Sequence, residues 1–110
     1  ERNGFERERE IAVPFINVGM DTVDLLPAVY EACPGIGLIG SGGIRHGLDI
    51  ARCIRLGATM TALAQPFLAP ALESTEAVVD KISILQEQLR WAMFLTGSRT
   101  LSDLRVAAVQ

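Results

Sequence analysis

The sequence predicts a parallel α/β fold that does not close on itself, and three observations carry that prediction. Ile36-Gly37-Leu38-Ile39-Gly40 is a short apolar run without alternation, the pattern of a strand buried on both faces of a parallel sheet. A glycine-rich loop, Ser41 to Gly47, follows directly and opens into an amphipathic stretch. A second apolar run, Thr59 to Leu63, then completes a strand-loop-helix-strand unit, whose strands should lie parallel through a right-handed crossover.

Residues 1 to 14 read as a loop or flexible arm, because Glu and Arg crowd its first ten positions without a clear period. Pro14, Asn17, Gly19 and Asp21 among apolar residues suit an irregular connection. Thr22 can cap a helix running to about Ala32, weakened in the middle by Pro27 and stopped by Pro34-Gly35. After the first strand and its loop, Leu48, Ile50, Ala51 and Ile54 share a helical face from Gly47 to Leu56, and Gly57 ends it. Beyond Ala64-Gln65-Pro66 a short helical turn reaches about Ala71. A long helix follows, capped by Ser74 or Thr75, with Glu76 in its first turn and Gly97 at its end. Its stripe of Val78, Ile82, Leu85, Leu89, Ala92, Met93 and Thr96 needs a partner, and Met93 and Phe94 are expected in the core. Thr100 with Asp103 resembles a capping arrangement for a last short helix, with Asp where Glu or Gln is preferred.

Two parallel strands cannot cover both edges of a sheet, and parallel sheets occur almost only with several strands and both faces covered. Residues 15 to 110 therefore read as an incomplete portion of a larger α/β unit, a fragment of a longer chain or a sheet completed by another one.

Composition excludes several classes. The chain has 110 residues, 49% of them hydrophobic, and a formal net charge of -3, values of a globular segment. No apolar run nears the roughly 20 residues of a spanning helix, and the charged start is no signal peptide, so a cytoplasmic protein without a membrane partner is expected. Scattered basic residues, with one Trp and one Tyr, argue against nucleic acid. Cys33 and Cys53 fit neither a zinc pattern nor a redox pair and read as two buried thiols.

The loop carries the chemistry. A phosphate dianion needs converging donors, which backbone N–H groups at a helix N-terminus supply together with the helix dipole. Gly42 and Gly43 allow close approach and positive φ, Arg45 adds a permanently charged fork, and Ser41 a hydroxyl. A loop leaving the C-terminal end of a strand lies where barrels and open α/β sheets place ligands. The same pattern also suits a tight turn with a surface Arg; neither the Walker pattern nor the dinucleotide fingerprint is present. His46, the sole histidine, reads as a rim side chain facing solvent, since no carboxylate or nucleophile partner is evident nearby, although acid–base work is conceivable. Asp49 falls in the first helical turn, where it stabilises the dipole.

Taken with Leu56-Gly57-Ala58, Ala64-Gln65-Pro66-Phe67-Leu68 and Ala92-Met93-Phe94-Leu95-Thr96-Gly97, the run from Ser41 to Ala51 resembles the C-terminal third of type 2 isopentenyl diphosphate isomerase, over roughly residues 15 to 105. The earlier blocks are shared with FMN-dependent 2-hydroxy-acid oxidases and dehydrogenases; the Met-Phe-Leu-Thr-Gly block points to the isomerase. The resemblance implies strands 7 and 8, with flanking helices, of a (β/α)8 TIM barrel in a homo-oligomeric flavoprotein. Such an enzyme interconverts isopentenyl and dimethylallyl diphosphate in isoprenoid biosynthesis using reduced FMN and Mg2+, with NADPH commonly as reductant. It implies that Gly43, Ile44 and Arg45 hold the FMN phosphate and that Ala64 and Gln65 add a contact after strand 8. It implies no catalytic or metal-binding residue within this chain, because those lie in the earlier strands. One departure stands out: Val18-Gly19-Met20-Asp21-Thr22 replaces the Trp-Gly-x-Pro-Thr usual before helix 6. The alternatives are part of a hydroxy-acid oxidase or dehydrogenase, or a non-catalytic half-barrel that docks other chains.

Overall fold

Polar caps and apolar stripes at helical spacing set most of the architecture. The computed structural model describes residues 4–108; the first three residues of the expected arm and the last two of the expected barrel portion lie outside them. Helices α1 (Gly4–Ala12), α2 (Thr22–Ala32), α3 (Gly47–Arg55), α4 (Leu68–Glu73), α5 (Thr75–Leu95) and α6 (Leu101–Arg105) accompany strands β1 (Ile39–Gly40) and β2 (Met60–Thr61). Short 3-10 turns cover Val13–Phe15 and Gln65–Phe67.

The strands pair parallel as expected, Ile39 opposite Met60 and Gly40 opposite Thr61. Bonds from Thr59 N–H to the Leu38 carbonyl (2.8 Å) and from Ala62 N–H to the Gly40 carbonyl (2.9 Å) extend the pairing on either side. Both strands are shorter than the apolar runs that contain them, and burial on both faces is not found: Ile39 is 62% exposed and Met60 55%. A strand with one neighbour has half its backbone groups unpaired, and only the face under α3 is covered. That face is tight, since a Cβ on Gly40 would stand 3.2 Å from the Cys53 Cβ.

Helix α3 lies between two apolar clusters. One joins Leu26 of α2, Ile44 of the loop, Cys53 and Ala58, with Leu38 and Leu63 against them. The other joins Ala51 and Ile54 to Ala92 of α5 and Leu104 of α6, with Leu89 and Met93 alongside. Burying a Leu such as Leu104, only 3% exposed, contributes about 1.5–3 kcal/mol. The expected α5 stripe is realised at its centre, where Leu85 and Ala92 are buried, but Ile82 and Thr96 are exposed. Phe94 is not a core residue: two positions from Ala92 it projects from the far side of the helix, and it is 83% exposed.

Caps follow the sequence closely at two helices. The Ser74 hydroxyl accepts from Ala77 N–H at 3.0 Å and starts α5. At α6 Thr100 and Asp103 form a reciprocal capping box, each side chain accepting from the other's N–H at 3.1 Å. Two expectations are corrected. The first segment is helical over Gly4–Ala12 and buries nothing; its Glu and Arg residues are good helix formers, and Arg9 lies 5.9 Å from the Phe5 ring centroid. Cys33 is exposed, so only Cys53 is a buried thiol.

Candidate functional site

The loop between β1 and α3 owes its shape to two glycines and one buried side chain. Gly42 and Gly43 take φ of 89° and 71°, a region costly for any residue with a Cβ. Ile44, 6% exposed, then drives into the core under α2 and α3 and anchors the loop from below. The N–H groups of Gly43 and Ile44 have no hydrogen-bond partner among the described residues. Two adjacent donors beside an anchored side chain can serve an anion.

The start of α3 is a different matter. Asp49 N–H donates to His46 Nδ1 at 3.2 Å, so the imidazole is the N-cap of the helix. Gly47 N–H donates to the Gln88 side-chain oxygen at 2.8 Å, and Arg45 N–H to Asp49 Oδ2 at 3.1 Å. Three donors that a helix N-terminus would offer a ligand are thus satisfied within the chain. The donors left without a partner sit one step earlier than the helix-terminus argument places them, at the glycine turn.

Asp49 organises the local charges. Its oxygens lie 3.5 Å from Arg45 Nε, 3.3 Å from Arg52 Nη1 and 3.7 Å from His46 Nε2. Burial alone would raise its carboxyl, but the bond from Arg45 N–H and the neighbouring His46 and Arg45 charges outweigh it and hold the carboxyl below its ordinary value. His46 therefore does have a carboxylate close by, three residues along the first helical turn. The Arg45 side chain is 75% exposed, and its ion pair is with Asp49. Burial and the Asp49 charge push the Cys53 thiol up, which leaves it an inert part of the core.

Helix α2 closes the other side. The Thr22 hydroxyl does not cap α2, whose N-cap is Asp21 without a side-chain bond; it donates to the Ser41 carbonyl at 2.9 Å and lies 3.4 Å from that of Gly42. An open cleft of about 660 Å³ lies between Gly42 and Gly43 on one wall and Asp21, Thr22 and Asp24 on the other. The two carboxylates disfavour an anion there, and Arg45 does not line this cleft. Parallel pairing brings the loops after both strands to the same end of the sheet. Ala64 and Gln65 lead into the 3-10 turn on that side, and no hydrogen bond links them to the Ser41–Gly47 loop among the described residues. The described residues contain no group of three or more His, Cys, Asp or Glu able to hold a metal, and no helix among them is long and apolar enough to cross a membrane. Thr22 and Gln88 escaped the sequence reading: Thr22 carries the signature of a cap, and Gln88 has no local signal at all.

A glycine turn with free donors, an adjacent Arg and parallel strands form a corner of an α/β fold that can receive an anion. The chain belongs to the FMN-dependent dehydrogenase family, whose model matches residues 16–110. It is similar to an isopentenyl-diphosphate delta-isomerase of Pseudescherichia vulneris, 44% identical over all of this chain and 32% of that protein. An isomerase of the same name from Xanthobacter autotrophicus is 45% identical over 93% of this chain and 30% of its own length. Among solved structures, a mandelate oxidase superimposes with a TM-score of 0.75 at 26% identity, over 80% of this chain and 28% of its own. The chain therefore has a fold found within FMN-dependent (β/α)8 barrels and spans about a third of the curated relatives' length. The resemblance to the isomerases is borne out.

Proposed function

We propose that this chain is the FMN-phosphate-binding portion, strands 7 and 8 with their helices, of an enzyme interconverting isopentenyl and dimethylallyl diphosphate. The carrying observation is 44% identity to an isomerase across the whole chain, against 26% to a hydroxy-acid oxidase over part of it. The residues fit a phosphate: the N–H groups of Gly43 and Ile44 are unpartnered among the described residues, and Arg45 supplies an exposed cation. Ala64 and Gln65 would add their contact from the loop after β2. When bound, FMN supplies the flavin ring needed for the double-bond shift.

This chain's own residues bind and orient. Ile44 fixes the height of the loop, Thr22 its start, and Arg45 supplies a positive charge beside the glycine turn. No catalytic or metal-binding residue is assigned within it; the diphosphate site, Mg2+ and the NADPH-dependent reduction belong to the rest of a homo-oligomeric cytoplasmic enzyme. Assay of the full-length protein with isopentenyl diphosphate and with 2-hydroxy acids tests the reading. Double-bond migration is expected, and 2-hydroxy-acid oxidation without migration would overturn it. Arg45→Ala should weaken FMN retention by about 1.5–3 kcal/mol, the scale of a hydrogen bond to a charged group. Equilibrium titration of the apoprotein measures it, and an unchanged affinity would remove Arg45 from the site.

A further inference from the structure

Gln88 is a polar residue placed where α5 crosses the start of α3, between Leu85 and Leu89 of the apolar stripe. Gln88 is itself exposed, so burial does not compel its side chain to find a partner; the contact it makes is a matter of placement. Its partner is Gly47 N–H, 2.8 Å from the side-chain oxygen in a partly buried bond that spans 41 residues of sequence. The backbones are in contact as well. A Cβ on Gly47 would lie 2.4 Å from the Gln88 Cβ and 2.6 Å from both the Leu85 carbonyl oxygen and the Leu89 nitrogen.

We infer that Gln88 is a positioning residue for the anion-binding loop, its side-chain oxygen fixing the loop's exit while the Thr22 hydroxyl fixes its start. The inference rests on the phosphate-site reading of that loop. Between the two clamps, five residues carry the free donors, and only Ile44 among them is buried. Donors held in place before the ligand arrives lose little conformational freedom on binding, whereas a loop free at its exit must be ordered by the ligand itself. The Gln88 oxygen also takes Gly47 N–H out of competition for the anion, which leaves Gly43 and Ile44 among the donors still free in the loop.

The test compares FMN with riboflavin, which lacks the phosphate, in titrations of full-length apoprotein. Gln88→Met keeps the side-chain length and removes the acceptor; it should bind FMN about tenfold more weakly, the effect of one such hydrogen bond, with riboflavin affinity unchanged. An equal loss of both flavins in Gln88→Met, or no loss of FMN, would overturn the positioning role. Should Gln88→Met not fold, Gln88→Asn withdraws the amide by one methylene and is judged by the same pair of affinities. Wild-type protein binding FMN no tighter than riboflavin would refute the phosphate-site reading and the inference with it. A wild-type preference for FMN that survives intact in the variant refutes the inference alone.

Discussion

Gly43 and Gly47 stand four positions apart and are glycine for opposite reasons, which their alanine variants should separate. At Gly43 φ is 71° and a Cβ would meet nothing within 4 Å, so the cost is conformational, about 1–2 kcal/mol, and falls on the free donors. At Gly47 a Cβ would strike backbone atoms of α5 at 2.6 Å, and the only relief is to part α3 from α5, at about 1–3 kcal/mol or more. In the full-length protein, Gly47→Ala should lower the melting temperature more than Gly43→Ala. Gly43→Ala should have the larger effect on FMN affinity per kcal/mol of stability lost, and the reverse ranking in both measurements would contradict the geometry. Asp49 adds a pH dependence whose sign is fixed. Its folded carboxyl lies below the ordinary value of 3.8, so in acid the unfolded chain binds more protons and stability rises with pH. Its contribution should be fully present above about pH 3.8 and be lost as pH falls through the lower folded value. Melting of wild type and Asp49→Asn across that range should converge in acid; a gap that stays constant would show that the charge is not what stabilises the loop.

Helix α6 has five residues and would not persist alone; its capping box and one buried side chain hold it. Leu104→Ala should therefore cost about 2–5 kcal/mol, because Ala51 and Ile54 of α3 and Ala92 of α5 are held on two packed helices and cannot close the gap together. Urea unfolding of the full-length protein measures this, and a cost below about 1 kcal/mol would place Leu104 outside the core. Elements of this kind are legible in sequence because their signals are local: Thr100 to Asp103, Ser74 to Ala77, and a stripe repeating every three or four residues. The strands were legible in place and direction but not in length or burial, since those depend on neighbours no local pattern contains. The same holds at the site. Two glycines and an arginine point to the proposed anion loop, yet which N–H groups stay free is decided by His46 and Asp49 nearby and by Gln88 at long range. Thr22 misled because a hydroxyl at a helix start can face the helix or the loop opposite, and only packing chooses. Phe94 misled because hydrophobicity alone does not say which face of α5 is covered.

As a whole the molecule is expanded for its length. Its radius of gyration is 17.3 Å, against about 13 Å for a compact domain of this size. Large side chains remain in water on several faces: Ile39 and Met60 on the sheet, Leu72 at 90% exposure, and Leu95 beside Phe94 on α5. Exposed apolar area on this scale marks surfaces built to be covered, and in the proposed full-length enzyme the remaining barrel would supply that cover. The 110-residue chain studied alone should bind a hydrophobic dye strongly, melt over a broad range without a cooperative midpoint, and retain no flavin through gel filtration. The full-length protein should exclude the dye, melt cooperatively and elute yellow. If the isolated chain instead melted cooperatively as a stable colourless dimer with little dye bound, its apolar faces would be satisfied by a second copy, and the half-barrel that docks other chains would replace the enzyme portion as the better account.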